Sequence, residues 1–183
     1  MAIERFEIDP AHTNVGFSAK HMAITTVRGH FGEVTGWFEA DRSDPSTLKG
    51  EVTIKVESIT TNQPQRDGHL RSPDFFDAAT YPSLVFRPTS AEKRGEDTYT
   101  VTGDLTIRDV TKPITLQVSF EGEAADFQNP DAKRVGVEAT GQLDRMEYGL
   151  NWDGLAGAIP LAGHTIKLQV EAELIATTLA ARA

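Results

Sequence analysis

The sequence "YTVTGDLTIRDVTKPITLQVSF", residues 99–120, contains two segments in which apolar and polar residues alternate strictly. In each segment the apolar side chains share one face, while threonines, Asp104, Gln117 and Ser119 occupy the other. Between the two segments lies "DVTKP", whose residues favour a turn. This period of two is typical of antiparallel strands that bury one face and expose the other.

The same alternation recurs along most of the chain. It is clearest in "NVGFSAKHM" (14–22), "EVTIKVE" (51–57), "VGVEATGQL" (135–143) and "TIKLQVEAEL" (165–174). With "FEID" (6–9), "GHFGEVTGWFEAD" (29–41) and "SLVFRPTSAEKR" (83–94), nine segments carry a strand pattern, and we predict about eight strands. Strands with one apolar face must pair those faces in a sandwich or close into a barrel. The glycines within 29–41 predict a bulge or bend in that strand.

The bulk composition excludes several classes of function. The 183 residues are close to the size of one domain, and we treat 1–183 as a single domain. With 18 basic and 27 acidic residues, the net charge of −9 repels nucleic acid, which proteins bind mainly through Lys and Arg. The chain has no cysteine, which excludes disulfides and cysteine-ligated metals.

Two further patterns bear on location. The opening "MAIERFEIDP" (1–10) lacks the basic and apolar regions of a secretory signal peptide. No stretch approaches the roughly 18 consecutive apolar residues of a membrane span. We therefore expect a cytoplasmic protein with no integral membrane segment and no nucleic-acid partner.

The stretch "RDGHLRSPDFFDAATYP" (66–82) interrupts the strand pattern. Pro64 is suited to open one short helix, and Ser72 followed by Pro73 is a typical start for a second. Asp67 and Arg71 are four residues apart and could pair on the first helix. We predict a short helical insert at about 62–80. Its apolar side would consist of Leu70, Phe75 and Phe76.

The histidines offer a weak case for catalysis or metal binding. None of the five lies in an HxH, HxxH or HExxH motif, and no G-x-S-x-G nucleophile motif is present. His21 and His30 could meet across a hairpin turning near 24–27, with Glu33 as a third ligand. The alternative function is therefore a small hydrolase or metal-dependent enzyme that uses His21, His30 or His69.

A ligand cavity inside the sheet is the stronger hypothesis. An eight-stranded barrel is just wide enough to be filled by its own side chains or to hold one small ligand. Small inward residues would leave room for a ligand; these are Ala19, Gly103, Ala139 and Gly141. Burying about 15 methylene groups would contribute about 12 kcal/mol before the costs of binding. From the pattern alone a packed core is equally compatible, and the protein would then be an interaction module.

Several segments together resemble the YceI-like, polyisoprenoid-binding family from about Phe6 to Leu174. They are "IDPAHTNVGFSAKHM" (8–22), "VRGHFGEVTGWF" (27–38), "TTNQPQRDGHLRSPDFFDAATYPSLVF" (60–86), "VTGDLTIRDVTKPITL" (101–116) and "LDRMEYGL" (143–150). Asp109 stands where this family usually has glycine, and Asp tolerates the left-handed conformation that such a turn needs.

The resemblance implies an all-β fold, an antiparallel eight-stranded lipocalin-like barrel that holds a long isoprenoid and often forms homodimers. We therefore expect a non-enzymatic carrier or store of a polyprenyl or isoprenoid quinone-like chain. We expect no catalytic residue, no bound metal and no cofactor. The insert would act as a stopper, with Phe75 or Phe76 sealing the barrel and Arg66 and Arg71 placed to meet an anionic head group.

We predict fourteen ligand-binding residues on the inner strand faces and the insert. They are Phe17, His21, Phe31, Val52, Ile54, Arg66, Leu70, Phe75, Phe76, Phe86, Leu105, Leu116, Val118 and Leu168.

Overall fold

The computed structural model describes residues 2–178. Within them the strands are β1 (Glu4–Ile8), β2 (Asn14–His21), β3 (Thr25–Phe31), β4 (Val34–Asp41), β5 (Asp44–Lys55), β6 (Ile59–Thr60), β7 (Ser83–Lys93), β8 (Thr98–Ile107), β9 (Val110–Ala125), β10 (Lys133–Asp144), β11 (Leu155–Ala156), β12 (Ile159–Pro160) and β13 (Ala162–Thr178). The helix α1 spans Pro64–Arg71. Three 3₁₀ helices span Pro10–His12, Val56–Ser58 and Arg145–Tyr148.

Eight strands close into an antiparallel barrel. Around the barrel they follow the order β1, β4, β5, β7, β8, β9, β10 and β13. β1 closes the ring because it pairs with β4 on one edge, placing Phe6 opposite Phe38, and with β13 on the other, placing Phe6 opposite Ala176. This arrangement confirms the predicted all-β, eight-stranded antiparallel barrel, and closure leaves the ring without a free edge.

β2 and β3 continue the barrel beyond β1 and β4. Phe17 on β2 lies opposite Leu168 on β13 and opposite Gly29 on β3. The chain bends at Pro10, which has no amide hydrogen to donate to a neighbouring strand. It bends again at Gly32, so the predicted strand over 29–41 is two strands, as its glycines indicated.

The barrel has two dissimilar ends. At the helix end, α1, the β8–β9 turn and the segment between β10 and β13 meet. At the far end lie the β4–β5 and β7–β8 turns together with the loop between β9 and β10. α1, at eight residues, is the longest helix in the described range, where none has the length and apolar character to cross a bilayer.

The alternating residues face inward as predicted, but two glycines do not widen the interior. On β8, Val101, Leu105 and Ile107 are buried. A Cβ on Gly103 would be 2.4 Å from Phe86 Cζ, and one on Gly141 would be 2.8 Å from a Leu116 methyl carbon. Neighbouring side chains therefore occupy the space above both glycines. The expectation that Gly103 and Gly141 leave room for a ligand is wrong.

The insert contains one helix rather than two. α1 begins after Gln63, whose side chain accepts a hydrogen bond from Arg66 N at 2.6 Å. Ser72 ends α1 instead of starting a second helix, with its hydroxyl donating to His69 O at 2.7 Å. Pro73 has no amide hydrogen with which to extend the helix, and residues 73–76 form turns that close with Asp77 at φ 50°.

Asp67 and Arg71 each bind the chain before α1 rather than each other. Asp67 is buried and accepts from Thr61 N at 2.8 Å. Arg71 donates to Glu57 O at 3.0 Å and Ile59 O at 2.8 Å. The predicted pair within the helix is thus replaced by two anchors that fix α1 onto β6 and the 3₁₀ turn before it.

The β8–β9 turn places the left-handed residue one position earlier than predicted. Arg108 has φ 55°, whereas Asp109 does not have a positive φ. The guanidinium of Arg108 donates to Phe75 O at 3.2 Å and Gly149 O at 3.3 Å. These bonds hold Arg108 in place and connect the turn to the other segments at the helix end.

Candidate functional site

A cavity of about 860 Å³ runs through the barrel from one end to the other. Its wall includes Trp152 and Arg145 at the helix end and Asp41 and Glu96 at the far end. Most of the wall between them is aliphatic or aromatic. The interior is therefore not filled by its own side chains. The interaction-module alternative requires a filled interior.

All fourteen residues predicted to bind ligand lie in the wall of this cavity. Mid-barrel positions such as Leu116, Val118 and Leu168 point inward yet are only half-buried, because they face open space rather than other side chains. Ala19 and Ala139 also line it, as expected from their small size. Alternation thus places the wall correctly; whether these side chains contact a ligand stays a prediction.

Aromatic rings pack at the helix end. Phe31 lies between Phe17 and Phe76, with centroid distances of 5.7 and 5.9 Å. Phe75 packs against Trp152 at 5.5 Å. Such ring pairs stabilise a packed cluster beyond the area they bury. Phe75 and Phe76 of the insert both belong to this cluster, and Trp152 is a component that the sequence interpretation missed. That the cluster seals the barrel stays a prediction.

Arg145 holds the segment that carries Trp152. It is 3% exposed and donates to Trp152 O at 2.9 Å, Gly163 O at 3.0 Å and Ala162 O at 3.1 Å, and also to Leu150 O. Burial lowers the pKa of this guanidinium. Only arginine offers so many donors in one planar group. In the sequence, Arg145 was noted only as part of "LDRMEYGL", and this motif does not indicate that Arg145 holds the segment with Trp152.

The two arginines considered for an anionic head group are already engaged. Arg66, at the edge of the wall, donates to Thr61 Oγ1 at 2.7 Å and Thr61 O at 3.1 Å. Arg71 lies outside the wall and binds backbone carbonyls of the preceding turn. The helix end therefore does not present a paired arginine site for phosphate or carboxylate.

The histidines of the enzyme alternative are not brought together. His21 lies opposite Thr25 at the tip of the β2–β3 hairpin, whereas His30 lies opposite Gly16, five residues further along. At about 3.3 Å per residue this separation is about 17 Å. Within residues 2–178, the one group with metal-ligand spacing is Asp9, His12 and Glu173, and it includes none of the three proposed histidines. The hairpin turns earlier than predicted, which separates the pair.

The two carboxylates of the Asp9 group already bind a cationic side chain of the protein, that of Arg134. Arg134 donates to Asp9 Oδ2 at 2.7 Å and to Glu173. Hydrogen bonds with His12 and then Arg134 lower the pKa of Asp9 to about 2, and the bonds with Glu173 and Asp9 raise the pKa of Arg134. This network fixes the bend between β1 and β2 rather than offering ligand atoms to a metal.

A second depression, of about 1160 Å³, lies on the outside of the barrel. It is bordered mainly by polar outward residues of β2, β9, β10 and β13, such as Ser18, Gln117, Thr140 and Gln169. Its polar border gives no basis for holding an apolar chain. The interior cavity is the candidate site.

Comparison with known proteins agrees with this architecture. The YceI-like domain model matches residues 6–174. The Escherichia coli protein YceI is 38% identical over 142 residues, which cover 78% of this chain and 73% of that protein. The Campylobacter jejuni YceI crystal structure aligns with a TM-score of 0.72 and 28% identity, over 88% of this chain and 90% of that one.

A more distant structure shares the fold alone. A polyisoprenoid binding domain from Saccharophagus degradans aligns with a TM-score of 0.65 and 16% identity, over 95% of this chain and 98% of that one. The family model covers nearly the whole barrel, including the insert and the segment that Arg145 holds. On this match and on the identity to YceI, the chain belongs to the YceI-like domain family.

Proposed function

We propose that this protein binds a long apolar chain, of the polyprenyl or isoprenoid quinone type, inside the barrel and carries or stores it without chemical change. The observation that carries the proposal is the cavity of about 860 Å³ with its largely aliphatic and aromatic wall. This volume falls in the range of pockets that enclose small-molecule ligands. The polyisoprenoid-binding domain with the same fold supports the choice of ligand class.

The energetics support tight binding without any catalytic group. Each buried methylene contributes about 0.8 kcal/mol, so a chain of about 15 methylenes contributes about 12 kcal/mol before entropic costs. The wall histidines have other partners: His21 Nδ1 contacts Leu161 O at 2.8 Å and His69 Nε2 contacts Asp74 at 2.8 Å. Neither contacts a serine or threonine hydroxyl, the arrangement that activates a nucleophile.

The proposal is tested by measuring how tightly a long polyprenol binds to delipidated protein. Purified protein is extracted with organic solvent, refolded, and titrated with a long polyprenol, with native mass spectrometry as the readout. The variant Ala139→Phe places a ring in the cavity, whereas Thr140→Phe places the same ring on the exposed outer face one residue away.

We expect one polyprenol per wild-type chain and a loss of about tenfold or more in affinity for Ala139→Phe alone. Wild-type protein that takes up no polyprenol or isoprenoid quinone would overturn the proposal. Equal binding by the two variants would show that the chain does not occupy the interior.

The homodimer and the cytoplasmic location expected from the sequence remain proposals. Sedimentation equilibrium would test the first, with a single species of twice the 20.0 kDa chain mass as the expected result. Fractionation of cells that produce the full-length protein would test the second.

A further inference from the structure

A wholly apolar segment lies at the surface of the helix end. Residues 154–163, "GLAGAIPLAG", contain no charged or hydrogen-bonding side chain. They include the β11–β12 hairpin, which turns at Gly157 with φ 66°. None of these residues is buried, and Leu155 and Ile159 are 58% and 44% exposed. A single exposed leucine is ordinary, but a contiguous apolar patch marks an interaction site.

The tip of the β2–β3 hairpin lies beside this segment. Met22 N donates to Leu161 O at 3.1 Å, and His21 Nδ1 contacts the same oxygen at 2.8 Å. At the tip, Ile24 is 75% exposed. Of the four large apolar residues that are exposed in the described part of the chain, three therefore lie on these two adjacent hairpins. We call Ile24 and residues 154–163 together the apolar rim.

The shape of the apolar rim favours a lipid bilayer over a flat protein partner. Leu155 lies opposite Pro160 in the β11–β12 hairpin, and Ala156 lies opposite Ile159. Because successive residues of a strand point to opposite faces, Leu155 and Ile159 project to opposite sides of this hairpin. A flat protein surface would cover one of these sides, whereas a hairpin immersed in lipid has apolar surroundings on both.

The rim and the strands that flank it carry no acidic residue. Residues 10–32 and 154–170 contain no Asp or Glu, although the chain has 27 acidic residues. Asp153, which precedes the rim, has its carboxylate 3.8 Å from the buried guanidinium of Arg145. These segments therefore contribute no repulsion of anionic lipid, even though the whole chain has a net charge of −9.

Two basic residues lie where the head groups of a membrane would be. Lys20 and Arg28 are exposed and stand on the two strands that lead to and from Ile24. At about 3.3 Å per residue, Arg28 is about 13 Å behind Ile24 along its strand. A tip that inserts by about 5–10 Å would therefore leave Arg28 at the level of the head groups. Charge and depth thus both fit a membrane surface.

The ligand cavity extends to the apolar rim. Its wall includes Leu161 and Ala162 of the rim, and also His21 on the neighbouring hairpin. A chain that enters or leaves the cavity at this end therefore passes the rim. Contact between the rim and a bilayer would shield that chain from water, to which an apolar chain is transferred only at a cost.

We propose that the apolar rim inserts into the surface of a lipid bilayer and docks the barrel there, and that an apolar chain passes between the membrane and the cavity at this place. The docking does not depend on the proposed function, because it is measured without any ligand. The passage of a chain rests on the proposed function.

The test of docking is flotation of the purified full-length protein with vesicles. One set contains phosphatidylcholine alone, and the other contains equal parts of phosphatidylcholine and phosphatidylglycerol. The double variant Leu155→Gln, Ile159→Gln removes apolar surface without changing the charge. Phe127→Gln is the matched control, because Phe127 is 77% exposed but lies in the β9–β10 loop at the far end. All three side chains are exposed, so both variants should fold.

We expect the wild-type protein to float with both sets of vesicles, and the double variant to bind about tenfold or more weakly. Phe127→Gln should bind within about twofold of wild type. Arg28→Gln should weaken binding to the mixed vesicles about fivefold and leave binding to phosphatidylcholine alone unchanged.

A fluorophore locates the inserted part, since the chain has no cysteine that would compete for the label. The environment-sensitive dye NBD is attached to Leu155→Cys or, in a second sample, to Phe127→Cys. Vesicles should shift the emission of the dye at residue 155 to shorter wavelength and leave the emission at residue 127 unchanged. The same shift at both residues would contradict insertion through the rim.

Wild-type protein that floats with neither set of vesicles would overturn the docking, as would equal losses in the double variant and Phe127→Gln. A dimer that dissociates in the double variant, without vesicle binding by wild type, would assign the rim to a second copy of the chain instead. Equal binding of Arg28→Gln and wild type to mixed vesicles would overturn the head-group contact. Polyprenol uptake by delipidated protein tests the proposed function separately, so the two failures are distinguishable.

Discussion

The ring of Phe86 on β7 lies over Gly103 on β8, so close that a Cβ at position 103 would be 2.4 Å from Phe86 Cζ and 2.6 Å from Arg87 O. The glycine does not open the cavity, since it allows the aromatic ring to pack against the backbone of the next strand. Phe86 in turn lines the cavity. The absence of a side chain at residue 103 therefore determines where this part of the wall lies.

Replacing Gly103 by alanine should destabilise the barrel. Ring and backbone atoms both occupy the space of the new methyl group, and overpacking of this kind costs about 1–3 kcal/mol. Gly68→Ala is the matched control, because a Cβ there meets no atom within 4 Å and alanine favours the helix by about 0.5–1 kcal/mol. Urea unfolding measures both, and equal stability of Gly103→Ala and wild type would contradict this packing.

Removing the Asp67 side chain should loosen α1 from β6. Burial opposes ionisation of Asp67, but hydrogen bonds from Thr61 and Thr60 keep its pKa below the usual value. Asp67→Ala leaves the Thr61 amide unpaired and should lower the free energy of unfolding by about 1–3 kcal/mol. Asp67→Asn should lose less, since it retains one acceptor oxygen.

The exposed Asp74→Ala serves as the control for this position. It breaks a surface contact with His69 and should change stability by no more than about 0.5 kcal/mol. Hydrogen exchange of the α1 amides would locate the effect. Protection of α1 that is the same in Asp67→Ala and wild type would show that Asp67 does not anchor the helix.

Alternation along the sequence was sufficient for the barrel and for most of the cavity wall. A residue at every second position must face the same side of a strand, so Leu116 and Val118 could be placed inside without coordinates. The insert was found for the opposite reason, because charged and aromatic residues broke that period. The prediction of a second helix in the insert was wrong, because Ser72 and Pro73 fit either the end of one helix or the start of another.

The parts that could not be predicted depend on contacts between distant segments. Trp152 lies in a stretch without periodicity, and its position depends on Arg145, which binds the Leu150 carbonyl before it and the Ala162 carbonyl after it. Asp41 was missed because one irregularity in the pairing of β4 and β5 reverses the expected side of the sheet. A regular pattern carries no information about where a bulge interrupts it.

Arginine should be indispensable at position 145. Arg145→Lys keeps the charge but offers one point-like ammonium in place of a planar group that reaches four carbonyls. We expect a loss of about 3 kcal/mol and weaker packing of Trp152, seen as a red shift of tryptophan fluorescence. Arg87→Lys, on an exposed ion pair with Glu51, should change stability by less than about 1 kcal/mol. Comparable unfolding midpoints for the two variants would disprove the role assigned to Arg145.

The Asp9 network should make stability depend on pH at the acidic end. Hydrogen bonds with His12 and Arg134 lower the pKa of Asp9 from 3.8 to about 2 in the folded protein. A group with a lowered folded pKa stabilises the fold above its unfolded pKa, and this contribution is lost as pH falls from about 4 to about 2. Asp9 also raises the pKa of His12 above 6.5, so the contribution of His12 is present below pH 6.5 and lost as pH rises through the raised value.

Asp9→Asn should therefore flatten the acid side of the stability profile. We expect the variant to lose about 1 kcal/mol at pH 5, the upper range for ion pairs that solvent reaches, and to approach the wild-type stability near pH 2. Asp131→Asn removes the same charge from an exposed position in the β9–β10 loop and should keep the wild-type profile. Urea unfolding at several pH values between 2 and 8 makes the comparison. If Asp9→Asn and wild type lost stability in parallel as pH fell, the contact of Asp9 with His12 and Arg134 would not be what sustains the bend between β1 and β2.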